Sequence, residues 1–186
     1  MAYRNGTYVA FHANGTNPPG ESDISYYNLM KAWTAKTDDD FTMINSHQKA
    51  AAVRDSSLHA TLRRSLKERL CNSKNMVLVI GPTTRFDTDW VPFEIEQAVD
   101  TYSIPIIAAY TPAIYSGVIR NPSAFSEHWP AALAQRINNA TAHVIHIPFK
   151  KLDLADAIGQ FSHNHFPSGQ GLGIYADAAY KAFGLL

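Results

Sequence analysis

Trp90 and Glu94 stand four residues apart in Trp90-Val91-Pro92-Phe93-Glu94-Ile95-Glu96-Gln97-Ala98-Val99. They are the residues of this chain whose types and spacing best suit chemistry. Pro92 fits the first turn of a helix, where a missing N–H costs nothing, and the helix is expected to run to about Thr101. At about 100° per residue, Val91, Ile95, Ala98, Val99 and Tyr102 form one apolar stripe. Trp90 and Glu94 stack on one flank of it. Glu94 lies roughly 85° from the centre of the stripe, and Glu96 falls further out on the other flank. A helix glutamate taken alone reads as solvated. This one is a boundary carboxylate beside an aromatic, near the positive end of a helix, and that end favours its ionised form.

Other residues capable of chemistry have weaker settings. Among eight histidines, His143 and His146 lie on one expected strand at odd spacing, so they face opposite sides. His163 and His165 can share a face, but no carboxylate or thiol is placed to complete a metal site. Gly169-Gln170-Gly171-Leu172-Gly173 resembles a phosphate loop, yet it follows no strong strand and reads as a flexible turn. Ser56, Ser57 and His59 lack the strand-to-helix elbow of a hydrolase. His47, in a polar loop from Asn45 to Arg54, suits substrate contact.

The Trp90–Glu94 helix is positioned by what precedes it. Asn75-Met76-Val77-Leu78-Val79-Ile80-Gly81 is short, apolar and β-branched, as a buried strand is, and a polar loop from Pro82 to Asp89 joins the two. Further strands are expected at Thr7–Phe11, Phe41–Ile44, Ile104–Tyr110 and Ala142–Phe149. Pro105 is tolerated near the start of its strand. A turn-rich loop follows His12. Ser22 or Asp23 can cap a helix carrying Tyr26, Leu29, Met30 and Trp33, and Asp55 or Ser56 can cap one carrying Leu58, Leu62, Leu66 and Leu70. The second helix carries Arg63, Arg64, Lys67, Glu68 and Arg69 on its other faces, a charge run that reads as solvated. Shorter helices are expected at Pro130–Asn138, Leu152–Phe161 and Tyr175–Phe183. Strand–helix alternation with units of 25–35 residues points to a parallel sheet covered on both faces.

The composition narrows the function. The chain has 186 residues, enough for one domain with a real core, and no linker divides it. Its 16 basic and 16 acidic residues balance, so it carries no electrostatic footprint for nucleic acid or an anionic membrane. Cys71 is the only cysteine, which excludes a disulfide framework. The polar N-terminus is unlike a signal peptide. No apolar run approaches the ~20 residues of a membrane span. A cytoplasmic protein is expected.

With the strands placed, residues 7–161 resemble a TIR-type domain, specifically the TIR-like (ThsB-type) component of bacterial Thoeris antiphage systems. The residues that carry the resemblance are Tyr8-Val9-Ala10-Phe11-His12, the 75–81 strand, Ile104-Pro105-Ile106-Ile107 and above all Asp89-Trp90-Val91-Pro92-Phe93-Glu94-Ile95, which matches the Trp-x-x-x-Glu signature of NAD-cleaving TIR domains. The resemblance implies a doubly wound, flavodoxin-like three-layer α/β fold with a five-stranded parallel sheet in order 2-1-3-4-5. Residues 162–186 then form a C-terminal extension of the same domain. For that strand order a ligand sits beyond the carboxyl ends of strands one and three.

The resemblance further implies cleavage of the nicotinamide N-glycosidic bond of NAD⁺, which is then a substrate and not a cofactor. The transition state is oxocarbenium-like and needs a carboxylate nearby. Glu94 is the residue expected to supply it. Phe11, His12, Asn14, Ser46, His47 and Trp90 are the expected substrate contacts. The product is expected to be ADP-ribose, a cyclic isomer or a conjugate, acting as a diffusible signal to a partner effector. A homo-oligomer is implied by the same resemblance. A TIR module that assembles without turnover, with Trp90 and Glu94 only packing the helix, is the alternative.

Overall fold

The computed structural model describes residues 4–13, 23–35 and 56–186. The expected strand at Phe41–Ile44 lies outside them. So do the loops holding Asn14, Ser46 and His47.

Among the described residues four strands form one parallel sheet in the order β1-β2-β3-β4. They are β1 (Gly6–Ala10), β2 (Ser73–Ile80), β3 (Ile106–Tyr110) and β4 (Val144–Pro148). The fold is therefore α/β with a parallel sheet, as expected. The helices are α1 (Ile24–Thr34), α2 (Ser56–Cys71), α3 (Trp90–Glu96), α4 (Ala131–Asn138), α5 (Lys151–Gln160) and α6 (Asp177–Ala182). No helix among the described residues is long and apolar enough to cross a membrane.

Alternation along the strands builds two cores, one on each face. Tyr8, Ala10, Met76, Leu78 and Ile80 pack against Leu66, Leu70, Val91 and Ile95 from α2 and α3. Val9, Phe11, Val77 and Val79 pack against Tyr27, Met30, Leu154 and Ile158 from α1 and α5. Both faces are buried, so the strands carry nearly continuous apolar runs.

The C-terminal segment is more than a tail. Gly173 donates its N–H to the carbonyl of Val144 and accepts from the N–H of His146, which pairs it with the exposed edge of β4. The turn before it has positive φ at Gly169, Gln170 and Gly171. It is a turn, as expected, but not a flexible one: hydrogen bonds to β4 hold it and cover an edge that would otherwise present unpaired backbone groups.

Behind this edge runs a polar relay. The indole N–H of Trp129 donates to Tyr110 Oη at 2.7 Å, Tyr110 stands 2.8 Å from His146 Nδ1, and His146 Nε2 stands 2.9 Å from the Gly171 carbonyl. A carbonyl only accepts, so Nε2 carries the proton and Nδ1 accepts from the tyrosine. His146 is fully buried while His143 is exposed, in line with their odd spacing.

Candidate active site

The 81–89 loop and α3 build the site. Asp87, three residues before Trp90, turns its Oδ1 onto the backbone N–H groups of Asp89, Trp90 and Val91 at 2.9, 2.9 and 3.3 Å. It thus satisfies the free donors of the first turn of α3. After Glu96 the helix widens into a π turn, Gln97–Thr101. The expected helix to Thr101 is therefore two pieces; such insertions recur at functional sites.

Glu94 is not at the boundary that the helical wheel predicted. It is 1% exposed. The wheel assumed one buried stripe, whereas α3 packs on the sheet and against α4, and side chains of α2 reach over Phe93. Arg63 of α2 pairs with Asp89 at 3.0 Å and lies 4.8 Å over the Phe93 ring, and Lys67 lies 5.9 Å from the same ring. Part of the α2 charge run therefore covers α3. Val91, Phe93, Glu94 and Ile95 are all buried.

The carboxyl group of Glu94 meets the phenol of Tyr8, which donates to Oε1 at 2.5 Å. Oε2 has no hydrogen-bond partner among the described residues. The expectation that the helix terminus keeps this group ionised is overturned. Burial raises its pKa to about 8, the Tyr8 hydrogen bond opposes that rise, and the charge of Asp87 adds to it. The physical reason is desolvation: α3 carries the carboxyl group into the interior, where the charged form is disfavoured.

Trp90 is half-buried against the same core as Glu94. Phe11 belongs to the opposite core, where it stacks on Tyr27 at 5.0 Å between centroids. Odd and even residues of β1 face opposite ways, so Phe11 and Glu94 do not meet. His12 follows at the carboxyl end of β1, with its Nδ1 buried and without a hydrogen-bond partner among the described residues and its carbonyl accepting from the N–H of Asp23.

Asp23 and Tyr8 are the residues that sequence reasoning missed here. Asp23 precedes α1, as expected of a cap, but its side chain makes no capping bond. It accepts from Thr84 Oγ1 at 2.8 Å instead, and Thr84 Oγ1 accepts from the Gly81 N–H at 2.8 Å. Burial raises the Asp23 carboxyl above its ordinary range, against the lowering effects of Thr84 and His12. The alternation of β1 held the signal for Tyr8: it placed residues 8 and 10 on one face and 9 and 11 on the other.

The carboxyl end of the sheet carries further unmet polar groups. Thr111 Oγ1, just beyond β3, and both carboxyl oxygens of Asp153, in the first turn of α5, are buried without a hydrogen-bond partner among the described residues. With His12 they make this end the polar one, and crevices at the carboxyl ends of strands are where open α/β sheets bind ligands.

A four-stranded parallel sheet with helices on both faces, and a Trp-x-x-x-Glu helix following an inner strand, is the arrangement of flavodoxin-like α/β domains of the TIR class. The family model described as Thoeris protein ThsB, TIR-like domain, matches residues 8–115, more than half of the 186 residues. The chain belongs to that family and so to the TIR domains of Thoeris antiphage defence. Tyr8, His12, Asp23, Gly81, Trp90 and Glu94 all fall inside the match. β4, α5, α6 and the C-terminal segment lie beyond it.

Proposed function

We propose that this domain cleaves the nicotinamide N-glycosidic bond of NAD⁺ and that Glu94 is the catalytic carboxylate. One observation carries the reading: a glutamate buried in the core of a TIR-type fold has one oxygen fixed by Tyr8 and the other without a hydrogen-bond partner among the described residues. Burying a carboxyl group with an unmet oxygen is costly, and that cost is understandable where a ligand supplies the missing contact. The departing nicotinamide is neutral, so no general acid is required. Glu94 in its ionised form stabilises the oxocarbenium-like centre or holds the ribose hydroxyls. Trp90 beside it shields the centre from water.

Water as acceptor gives ADP-ribose. A hydroxyl or ring nitrogen of the same molecule gives a cyclic isomer, and an added nucleophile a conjugate. The reading includes a cyclic or conjugated product that acts as a diffusible signal on a partner effector. It also includes a five-stranded sheet in order 2-1-3-4-5, with Phe41–Ile44 beside β1, and a homo-oligomer that completes the pocket with Asn14, Ser46 and His47.

The depth of Glu94 favours a second reading, an assembly module in which the carboxyl group is packing alone. Incubating the purified chain with NAD⁺ at low and high protein concentration, with Glu94→Gln in parallel, separates the two. Nicotinamide release that vanishes in the variant supports the enzyme, and mass spectrometry of the other product names the acceptor. No release at any concentration supports the module.

A further inference from the structure

The turn Thr84–Phe86, beyond the carboxyl end of β2, carries an aromatic ring outward. Phe86 is 61% exposed, more than any other large hydrophobic side chain among the described residues. One exposed hydrophobic is ordinary on a protein surface, but this ring is held where it is. Thr84 is buried, and its hydroxyl accepts from the Gly81 N–H and donates to Asp23 Oδ2, both at 2.8 Å. The N–H of Phe86 donates to the Thr83 carbonyl at 2.9 Å. Asp87, the next residue, is fixed by the N–H groups at the start of α3. The chain is anchored on both sides of the ring, so Phe86 cannot turn inward without breaking these bonds.

Arg85 sets a cation beside the ring. Its guanidinium carbon lies 4.6 Å from the ring centre, and the ring keeps its exposure with that group over it. Nη1 of Arg85 donates to the Glu127 carbonyl at 3.0 Å, which ties the turn to the Pro122–His128 segment that follows β3. A guanidinium has five N–H donors, so Arg85 can hold this segment and also serve an anion. The loop after β3 raises a second exposed aromatic, Tyr115, whose ring lies 5.1 Å from that of Phe125 and whose hydroxyl donates to the Val118 carbonyl at 3.2 Å. These loops leave the carboxyl ends of neighbouring strands, where open α/β sheets bind ligands.

A fixed aromatic face beside a guanidinium suits a flat ring that carries a phosphate. Bases stack on aromatic side chains, and arginine takes phosphate through paired N–H groups. A bare phosphate would leave the aromatic face unused, and an uncharged ring would leave the cation unused. We propose that Phe86 and Arg85 bind the adenylate half of the dinucleotide, with the base stacked on Phe86 and a phosphate on Arg85. This rests on the reading of the domain as an enzyme that cleaves NAD⁺, and it extends that reading from the bond broken to the half of the molecule that distinguishes a dinucleotide from a mononucleotide. The pair makes and breaks no bond. It supplies binding energy remote from the reacting centre, which raises kcat/KM for the dinucleotide above that for nicotinamide mononucleotide, a substrate with the same scissile bond.

The first test needs no turnover. The full chain and its Phe86→Ala and Phe86→Tyr variants are titrated calorimetrically with ADP-ribose, which keeps the base and both phosphates, and with ribose 5-phosphate. Phe86 is exposed, so these variants should keep the fold, which urea unfolding checks. Phe86→Ala is expected to weaken ADP-ribose binding by about ten- to a hundredfold, the scale of one base–aromatic stack, while Phe86→Tyr retains it. Ribose 5-phosphate should bind the wild type at least about tenfold more weakly than ADP-ribose. Equal affinity of wild type and Phe86→Ala for ADP-ribose, or no ADP-ribose binding up to about 1 mM, overturns the proposal.

The second test is the preference for NAD⁺ over nicotinamide mononucleotide, measured as the ratio of kcat/KM values for nicotinamide release. That ratio should fall by about ten- to a hundredfold in Phe86→Ala, chiefly through KM for NAD⁺. An unchanged ratio overturns the assignment. If the wild-type chain cleaves neither compound, the proposed reaction falls by itself, and ADP-ribose binding still decides whether Phe86 and Arg85 hold an adenylate.

Discussion

Gly81 and Asp23 are packed so closely that a Cβ on residue 81 would lie 2.0 Å from Oδ1 of the aspartate. The glycine directly follows β2 and the aspartate precedes α1, so their contact fixes how the 81–89 loop leaves the sheet. Gly81→Ala is expected to cost about 1–3 kcal/mol, the usual scale of overpacking. Because the obstacle is one side chain, the cost should shrink when Asp23 is also changed to Ala. Urea unfolding of the four proteins of that cycle gives the coupling directly; additive effects would contradict it.

Glu94 makes a prediction about stability that needs no substrate. Its pKa rises from 4.5 to about 8 on folding. Above pH 4.5 the unfolded chain loses the proton that the native chain keeps, so the native state loses stability as pH rises toward 8. At pH 7 the penalty is about 3 kcal/mol. Glu94→Gln keeps an acceptor for Tyr8 and carries no charge. Its advantage in stability over the wild type should grow between pH 5 and pH 8, and a constant gap would refute the assignment. Such a trade of stability for a charge is common at functional sites.

His146 behaves in the opposite sense. Burial lowers its pKa from 6.5 to about 4, against the raising effect of the Gly171 carbonyl. The neutral form is the native one, so the contribution is intact above pH 6.5 and is lost as pH falls to 4. The loss is about 3 kcal/mol. Chemical unfolding of wild type and His146→Gln at pH 7 and pH 4.5 isolates it: the difference between them should narrow or reverse at the lower pH.

The seam between β4 and the C-terminal segment depends on Gly173. A Cβ there would lie 2.6 Å from the carbonyls of both Ser168 and Val144, and neither backbone atom can yield cheaply. Gly173→Ala should detach the segment from the sheet. The amide of His146, which donates to the Gly173 carbonyl, should then exchange with deuterium far faster, and unchanged protection would show that the seam tolerates the methyl group.

Much of this arrangement was legible in the sequence because it rests on short-range rules. The apolar run at 75–81 is a strand, Pro92 opens a helix, and Leu66 and Leu70 are buried in α2. Asp87 is a local feature too, a side chain three residues ahead of the helix it caps, though it is not among Ser22, Asp23, Asp55 and Ser56, the caps that the sequence suggests. Glu94 stands out in the sequence by its type and its spacing from Trp90, but the helical wheel puts it at the boundary, whereas it is 1% exposed. A helical wheel sees one helix and one face, and α3 is enclosed by the sheet and α4, with α2 side chains over Phe93.

The sequence by itself determined the α/β alternation, the parallel sheet and the Trp90–Glu94 spacing, since periodicity and turn chemistry act over a few residues. Only the tertiary structure decided the rest. Tyr8 lies 86 residues from Glu94, Asp23 lies 61 from Thr84, and His146 lies 25 from Gly171. Each pair joins elements brought together by packing of the two cores on the sheet. The proton state of Glu94 follows from the same packing, because desolvation and neighbouring charge are properties of the assembled interior.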